Sequence, residues 1–142
     1  MTTFGRRHAS ALALGALLLV TSCAGMQTVQ EASTEDAATQ SFPADHRKVV
    51  DAGIAAIHGM KLTVSSVDDE PDRTVILFQR PMSMWQIGAV GRMIVPKSDA
   101  PPIPVHTNYE QRGKLTYSSG QERWSRAIFA RMEKELGVVA AK

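Results

Sequence analysis

Few residues in this 142-residue chain are of the types that do chemistry. There is one cysteine, Cys23, and there are four histidines, His8, His46, His58 and His106. A metal site or a nucleophile with its base needs side chains that converge, and these are scattered. His46 and His58 are twelve positions apart on a predicted helix, about 120° around its axis, so one face cannot offer both to a metal. His106 falls on the polar side of a predicted strand, where exposure is the plain expectation. No Gly-x-Ser-x-Gly elbow and no His-Glu-x-x-His occurs. The run Asp68-Asp69-Glu70-Pro71-Asp72 lacks the alternating acids and the glycine of a calcium loop, and reads as a solvated hairpin turn. Gly88-x-x-Gly91 is followed by no Gly-Lys-Ser/Thr and so is no phosphate loop. Without basic neighbours it is no nucleic-acid loop either. A triad assembled only in space is compatible with such a sequence. On motifs alone the expectation is a chain without catalysis, metal or cofactor.

The lone cysteine finds its explanation in what precedes it. Residues 1–8 are short and polar and carry Arg6 and Arg7. Residues 9–20 are a run of twelve made of Ala, Leu, Gly, Val and one Ser. A charged start followed by such a run has the pattern of an export signal. Twelve residues are too few to cross a bilayer as a helix, which takes about 20. The run ends in Val20, Thr21, Ser22 and Cys23, and this resembles the lipobox of bacterial lipoproteins: a branched apolar residue, two small ones, then cysteine. Leu is the more usual first residue. The resemblance covers residues 1–23 only. It implies that the Cys23 thiol takes a diacylglycerol, that the chain is cut before it, and that the new amine is acylated, with palmitate as a typical chain. At ~0.8 kcal/mol per buried CH₂, more than one acyl chain gives stable anchoring. Residues 1–22 are then a signal peptide, and the partner of Cys23 is a lipid membrane. An ordinary secretory signal with an incidental cysteine is the alternative, although that would favour an Ala-x-Ala site. Arg6-Arg7 fits a twin-arginine signal poorly, given Gly5 before it and His8-Ala9 after it. Ala24 in place of Asp leans the expected location to the outer membrane rather than the inner, with the chain facing the periplasm.

The charge balance changes once this segment is set aside. The whole chain has 16 Lys and Arg against 14 Asp and Glu. Taking away Arg6 and Arg7 leaves 14 of each sign, because residues 1–22 hold no acid. A net charge of zero offers no footprint for nucleic acid and no polybasic patch for anionic lipid. One cysteine also excludes an internal disulfide framework.

Residues 24–41 are rich in Gln, Thr, Ser, Glu and Ala. They show no sustained period, and with Cys23 they read as a lipidated, flexible tether spanning 23–41. Residues 42–142 read as one small domain. A helix is expected over 44–58, with Val50, Gly53, Ile54 and Ile57 on its apolar face and Gly59 as its stop. Strands are expected over 61–67 and 74–79 around the acidic turn, over 86–95 with a glycine bend or bulge at Gly91, and over 105–110, with a continuation over 115–118. A capping box formed by Ser119 and Glu122 opens the last helix, which ends at Gly137. The fold class is α+β: a two-layer sandwich in which an antiparallel sheet of about four strands carries two helices on one face, in the order α-β-β-β-β-α. This order loosely resembles small α+β domains of envelope lipoproteins, some of them similar to the helix-grip domains of the C subunit of the outer-membrane β-barrel assembly machinery. That resemblance is one of topology and carries over no functional residue.

Two stretches have no obvious place in such a fold. Residues 81–85 hold Pro81, Met82, Met84 and Trp85. The commoner arrangement buries such side chains under a loop. The other makes Met82, Met84 and Trp85 an exposed contact for an envelope protein partner. Residues 96–104 hold Pro96, Pro101, Pro102 and Pro104 and read as a rigid surface connection. The expected function is that of a membrane-anchored envelope lipoprotein whose domain is a non-catalytic binding or accessory module. A structural envelope component without a ligand is the alternative, and a hydrolase with a site assembled in space is the most remote one.

Overall fold

A computed structural model describes residues 24–85, 88–111 and 118–138. Eight elements follow in order: α1 (Ala24–Glu31), β1 (Ala38–Phe42), α2 (His46–Gly59), β2 (Thr63–Asp69), β3 (Arg73–Arg80), β4 (Ala89–Pro96), β5 (Ile103–Gln111) and α3 (Ser118–Leu136). The strands form one antiparallel sheet of five in the order β1-β5-β4-β3-β2. The fold is α+β, as expected, with five strands rather than about four.

Side chains alternate along a strand, so one residue of β4 fixes both faces of the sheet. A Cβ placed on Gly53 of α2 would meet the Met93 sulfur at 2.6 Å. Met93 therefore points to α2. On the same face the Thr107 hydroxyl donates to Ser125 of α3 at 2.7 Å, and Phe42 lies 6.0 Å from Phe129 of α3 between ring centroids. Both long helices thus cover this face. Between them and the sheet lie Phe42, Ile57, Ile76, Phe78, Met93 and Met132, all fully buried.

Arg92, next to Met93, points the other way. Its guanidinium donates to the carbonyls of Gln30 and Ala32 at the end of α1, and to Asn108 Oδ1 at 3.3 Å. The opposite face is therefore capped by α1, beside buried Leu77, Val90 and Ile94. This corrects the expected tether. Residues 24–41 are a helix and a strand of the fold. Val29 is buried, and β1 pairs with β5 from Ala38 opposite Thr107 to Phe42 opposite Ile103. The segment lacks a sequence period because its partners are distant. A buried arginine on β4 satisfies the carbonyls of α1, and an existing strand edge satisfies β1.

Local signals explain most element ends. Asp45 accepts from the Lys48 amide at 3.0 Å and caps α2. Helix α2 runs on through Gly59, and Lys61 takes the left-handed conformation at φ 59°. Gly59 instead lets α3 come close, since a Cβ there would lie 3.0 Å from an Arg131 nitrogen. Gly137, at φ 64°, ends α3, and the Val138 amide closes onto the Glu133 carbonyl. The side chain of Ser119, on which the expected capping box rests, lies outside the described residues, as do residues 115–117 of the expected strand continuation; its last residue, Ser118, instead begins α3.

The expected bend in β4 is absent. Gly91 pairs without a register break between Phe78 and Tyr109. A Cβ at Gly91 would sit 2.3 Å from the Phe78 ring. The glycine makes room for an aromatic ring laid across it. The register shift of the sheet lies in β2, between Val64 and Ser66.

Candidate functional site

The lipobox residues Val20, Thr21, Ser22 and Cys23 lie outside the described residues. The first described residue follows Cys23 directly and begins α1. Among the described residues no helix is long and apolar enough to cross a membrane.

The β3–β4 hairpin carries the apolar tip. Strand β3 ends at Arg80, and β4 starts opposite it at Ala89. In the turn between them Met82 is 64% exposed, and Met84 and Trp85 are each 89% exposed. Pro81 and Ser83 are exposed as well. Burial under a loop, the commoner arrangement, is not what happens here. Isolated apolar residues on a surface are ordinary; here three large ones within four positions of one turn are exposed together. Under the tip, the Arg80 guanidinium lies 5.0 Å from the Trp124 ring, and Trp124 stacks on Tyr109 at 4.7 Å. This layer of rings anchors the base of the hairpin to α3 while the tip stays free of the core. The proline-rich connection is not beside it. That connection follows Pro96, which pairs with Arg73 at the other end of the same strands.

A second feature lies at the same end of the sheet as the hairpin tip. Strand β1 begins at Ala38, opposite Thr107, while β5 runs on to Gln111. Where β1 leaves that edge, an open cleft of about 890 Å³ is bounded by the end of α1, the α1–β1 loop, residues 108–110 of β5 and the start of α3. The described residues that line it include Glu31, Glu35, Asp36, Glu110 and Glu122 and no Lys or Arg. Among the described residues the Tyr109 hydroxyl and Glu110 Oε2 are buried without a hydrogen-bond partner. Burial pushes the Tyr109 phenol above its usual value of 10.0, so the ring stays neutral. Gln121 donates to the Asp36 carbonyl at 2.7 Å and ties the loop to α3. Sequence reasoning misses this cleft because half of its wall belongs to the segment expected to be a tether.

The three described histidines do not converge. His106 lies 2.8 Å from the Thr39 hydroxyl across the β1–β5 pair. His58 is exposed. His46 does enter a polar cluster, at the far end of the sheet from the cleft. Its Nε2 is 3.2 Å from the Thr74 hydroxyl, which donates to Asp69 at 2.9 Å. Lys97 reaches the same carboxylate at 2.9 Å. The Lys97 ammonium and then the Thr74 hydroxyl hold Asp69 below the usual carboxylate value of 3.8.

This order of groups does not place Thr74 as an activated nucleophile. An activated hydroxyl must give its proton to a histidine that a carboxylate orients. Thr74 gives its proton to Asp69, so His46 is the donor to Thr74. The cluster joins the start of α2 to the β2–β3 hairpin. Among the described residues no three His, Cys, Asp or Glu side chains are placed to hold a metal ion. No protein-family model matches this chain, and no curated protein matches it.

Proposed function

We propose that this protein is a lipoprotein of the bacterial cell envelope, anchored through acylated Cys23, whose α+β domain is a non-catalytic binding or accessory module. The observation that carries the binding role is the β3–β4 hairpin tip, where Met82, Met84 and Trp85 face solvent together on a hairpin whose base is held by stacked rings. A surface without a task gains nothing from three adjacent large apolar side chains, whose exposure costs solubility. The anchor is supported by the register of Arg6-Arg7, the twelve-residue apolar run and the Val20-Thr21-Ser22-Cys23 motif. The same reading explains why an exported chain would keep a single thiol.

Radioactive palmitate supplied to cells making the full chain tests the anchor. The wild type should be labelled and remain with the membranes, and Cys23→Ala should lose both properties. Labelling of Cys23→Ala would end the lipoprotein reading. A photo-crosslinking residue at position 84 in the native envelope tests the binding role. Capture of nothing, in an envelope that holds the labelled protein, would leave a structural component as the better reading.

A further inference from the structure

We propose that the hairpin tip formed by Met82, Met84 and Trp85 is a second membrane contact, which enters the interfacial layer of the bilayer that holds Cys23. The proposal rests on the lipid anchor at Cys23 and names the occupant of the tip.

The first ground is the missing tether. Helix α1 starts at Ala24, directly after the residue read as acylated. Its far end is bound by the buried Arg92, which donates to the carbonyls of Gln30 and Ala32. On the lipoprotein reading, an acylated Cys23 would be followed at once by a described helix rather than by a long tether, which would keep the domain near the headgroups. Eight helical residues span about 12 Å, and the three residues from Arg92 to the start of β4 span about 10 Å. With the length of the arginine side chain added, the anchored end of α1 and the base of the hairpin are within roughly 30 Å of each other.

The second ground is the chemistry of the tip. No charged residue occurs between Arg80 and Arg92. A loop entering a bilayer must avoid charge, whereas a loop docking on a protein commonly carries some at its rim. Tryptophan favours the membrane–water boundary, where its apolar ring and its N–H are both accommodated. Methionine adds flexible apolar surface.

The third ground is charge balance. From Cys23 onward the chain has 14 residues of each sign, so no net field draws the domain to a bilayer. The exposed apolar tip supplies a contact that would orient it. Three side chains alone would bind a membrane weakly. Tied to acyl chains, they enter it as an intramolecular step at high effective concentration.

The test uses the full chain made in bacteria, purified in detergent in its acylated form and reconstituted into neutral phosphatidylcholine vesicles. In one set of vesicles the acyl chains carry bromine near the headgroup. Trp85 and Trp124 are the only tryptophans, and Trp124 is stacked inside the fold. Bromine should lower the emission of the wild type roughly twofold, by silencing one ring of two lying about 5–10 Å deep. Trp85→Phe, a change at an exposed position, should abolish the response. Palmitate labelling of the same sample reports the anchor separately. A labelled chain whose emission ignores bromine overturns the membrane contact and leaves the anchor standing. An unlabelled chain overturns both. Equal quenching in Trp85→Phe would place the response at Trp124 and sink the proposal. A blue shift without bromine quenching would mean that protein covers Trp85, either a partner or a second copy of this chain, and would overturn it as well.

Discussion

His106 is the side chain at which this fold meets pH. It sits half-buried on β5, with its Nδ1 at 2.8 Å from the Thr39 hydroxyl of β1. Burial holds its pKa below the ordinary 6.5. The unfolded chain therefore takes up the proton more readily than the native one. The contribution of His106 is whole above about pH 6.5 and declines as pH falls below that value, until the native imidazole is itself protonated. Urea unfolding at pH 7 and pH 5 should show a loss of stability that His106→Gln reduces. An unchanged difference in the variant would place the effect elsewhere. Asp45 and Asp69 work in another range. The Lys48 amide and the Lys97 ammonium, respectively, are the main causes that hold their carboxyls below 3.8. What they contribute is present above that value and lost only in stronger acid.

Among the elements, α1 depends most on a single distant residue. Helix ends leave carbonyls without partners, and here Arg92 supplies the donors from beneath, with Asn108 beside it. Replacing Arg92 by methionine keeps the volume and removes the donors, leaving carbonyls unsatisfied at a cost of about 1–3 kcal/mol. Hydrogen exchange should show the amides of α1 opening roughly tenfold or more faster in Arg92→Met, while α2 and α3 keep their protection. Unchanged exchange in α1 would mean that its apolar contacts alone hold it. The β3–β4 hairpin has the opposite design. Its base is fixed by the Arg80, Trp124 and Tyr109 stack and by the Gly91–Phe78 fit. Its tip makes so little contact with the body that Met84 and Trp85 are almost fully exposed.

For the whole molecule, the consequence is that residues 24–41 and the rest of the fold are one unit. Removing residues 24–41 takes away α1, most of the β1 ladder, the buried Val29 and the bond from Gln40 to Glu133 at 2.6 Å. Burial of one such aliphatic side chain contributes about 1.5–3 kcal/mol. With the ladder included, the deletion should lower the free energy of unfolding in urea by more than about 3 kcal/mol. A deletion variant as stable as the full chain would restore the tether reading and remove the geometric basis for a membrane-proximal domain.

By itself the sequence determined the elements whose signals are local. The terminal Gly137 specified the end of α3. The apolar face with Gly53 and Ile57 specified α2. Alternation around the acidic turn specified the β2–β3 hairpin, and together these determined the α+β class. The Val20-Thr21-Ser22-Cys23 motif is a resemblance read from the sequence alone, and its residues lie outside the described ones. Only the tertiary structure decided what depends on distant partners. Residues 24–41 join the fold because Arg92 and the edge of β5 receive them, and neither partner leaves a period in the segment itself. The cleft appears where β1 departs from β5, a place that no single stretch encodes. The exposure of Met84 and Trp85 was undetermined for the same reason. An apolar run states that it needs cover, and only the packing of the rest of the chain decides whether that cover comes from within.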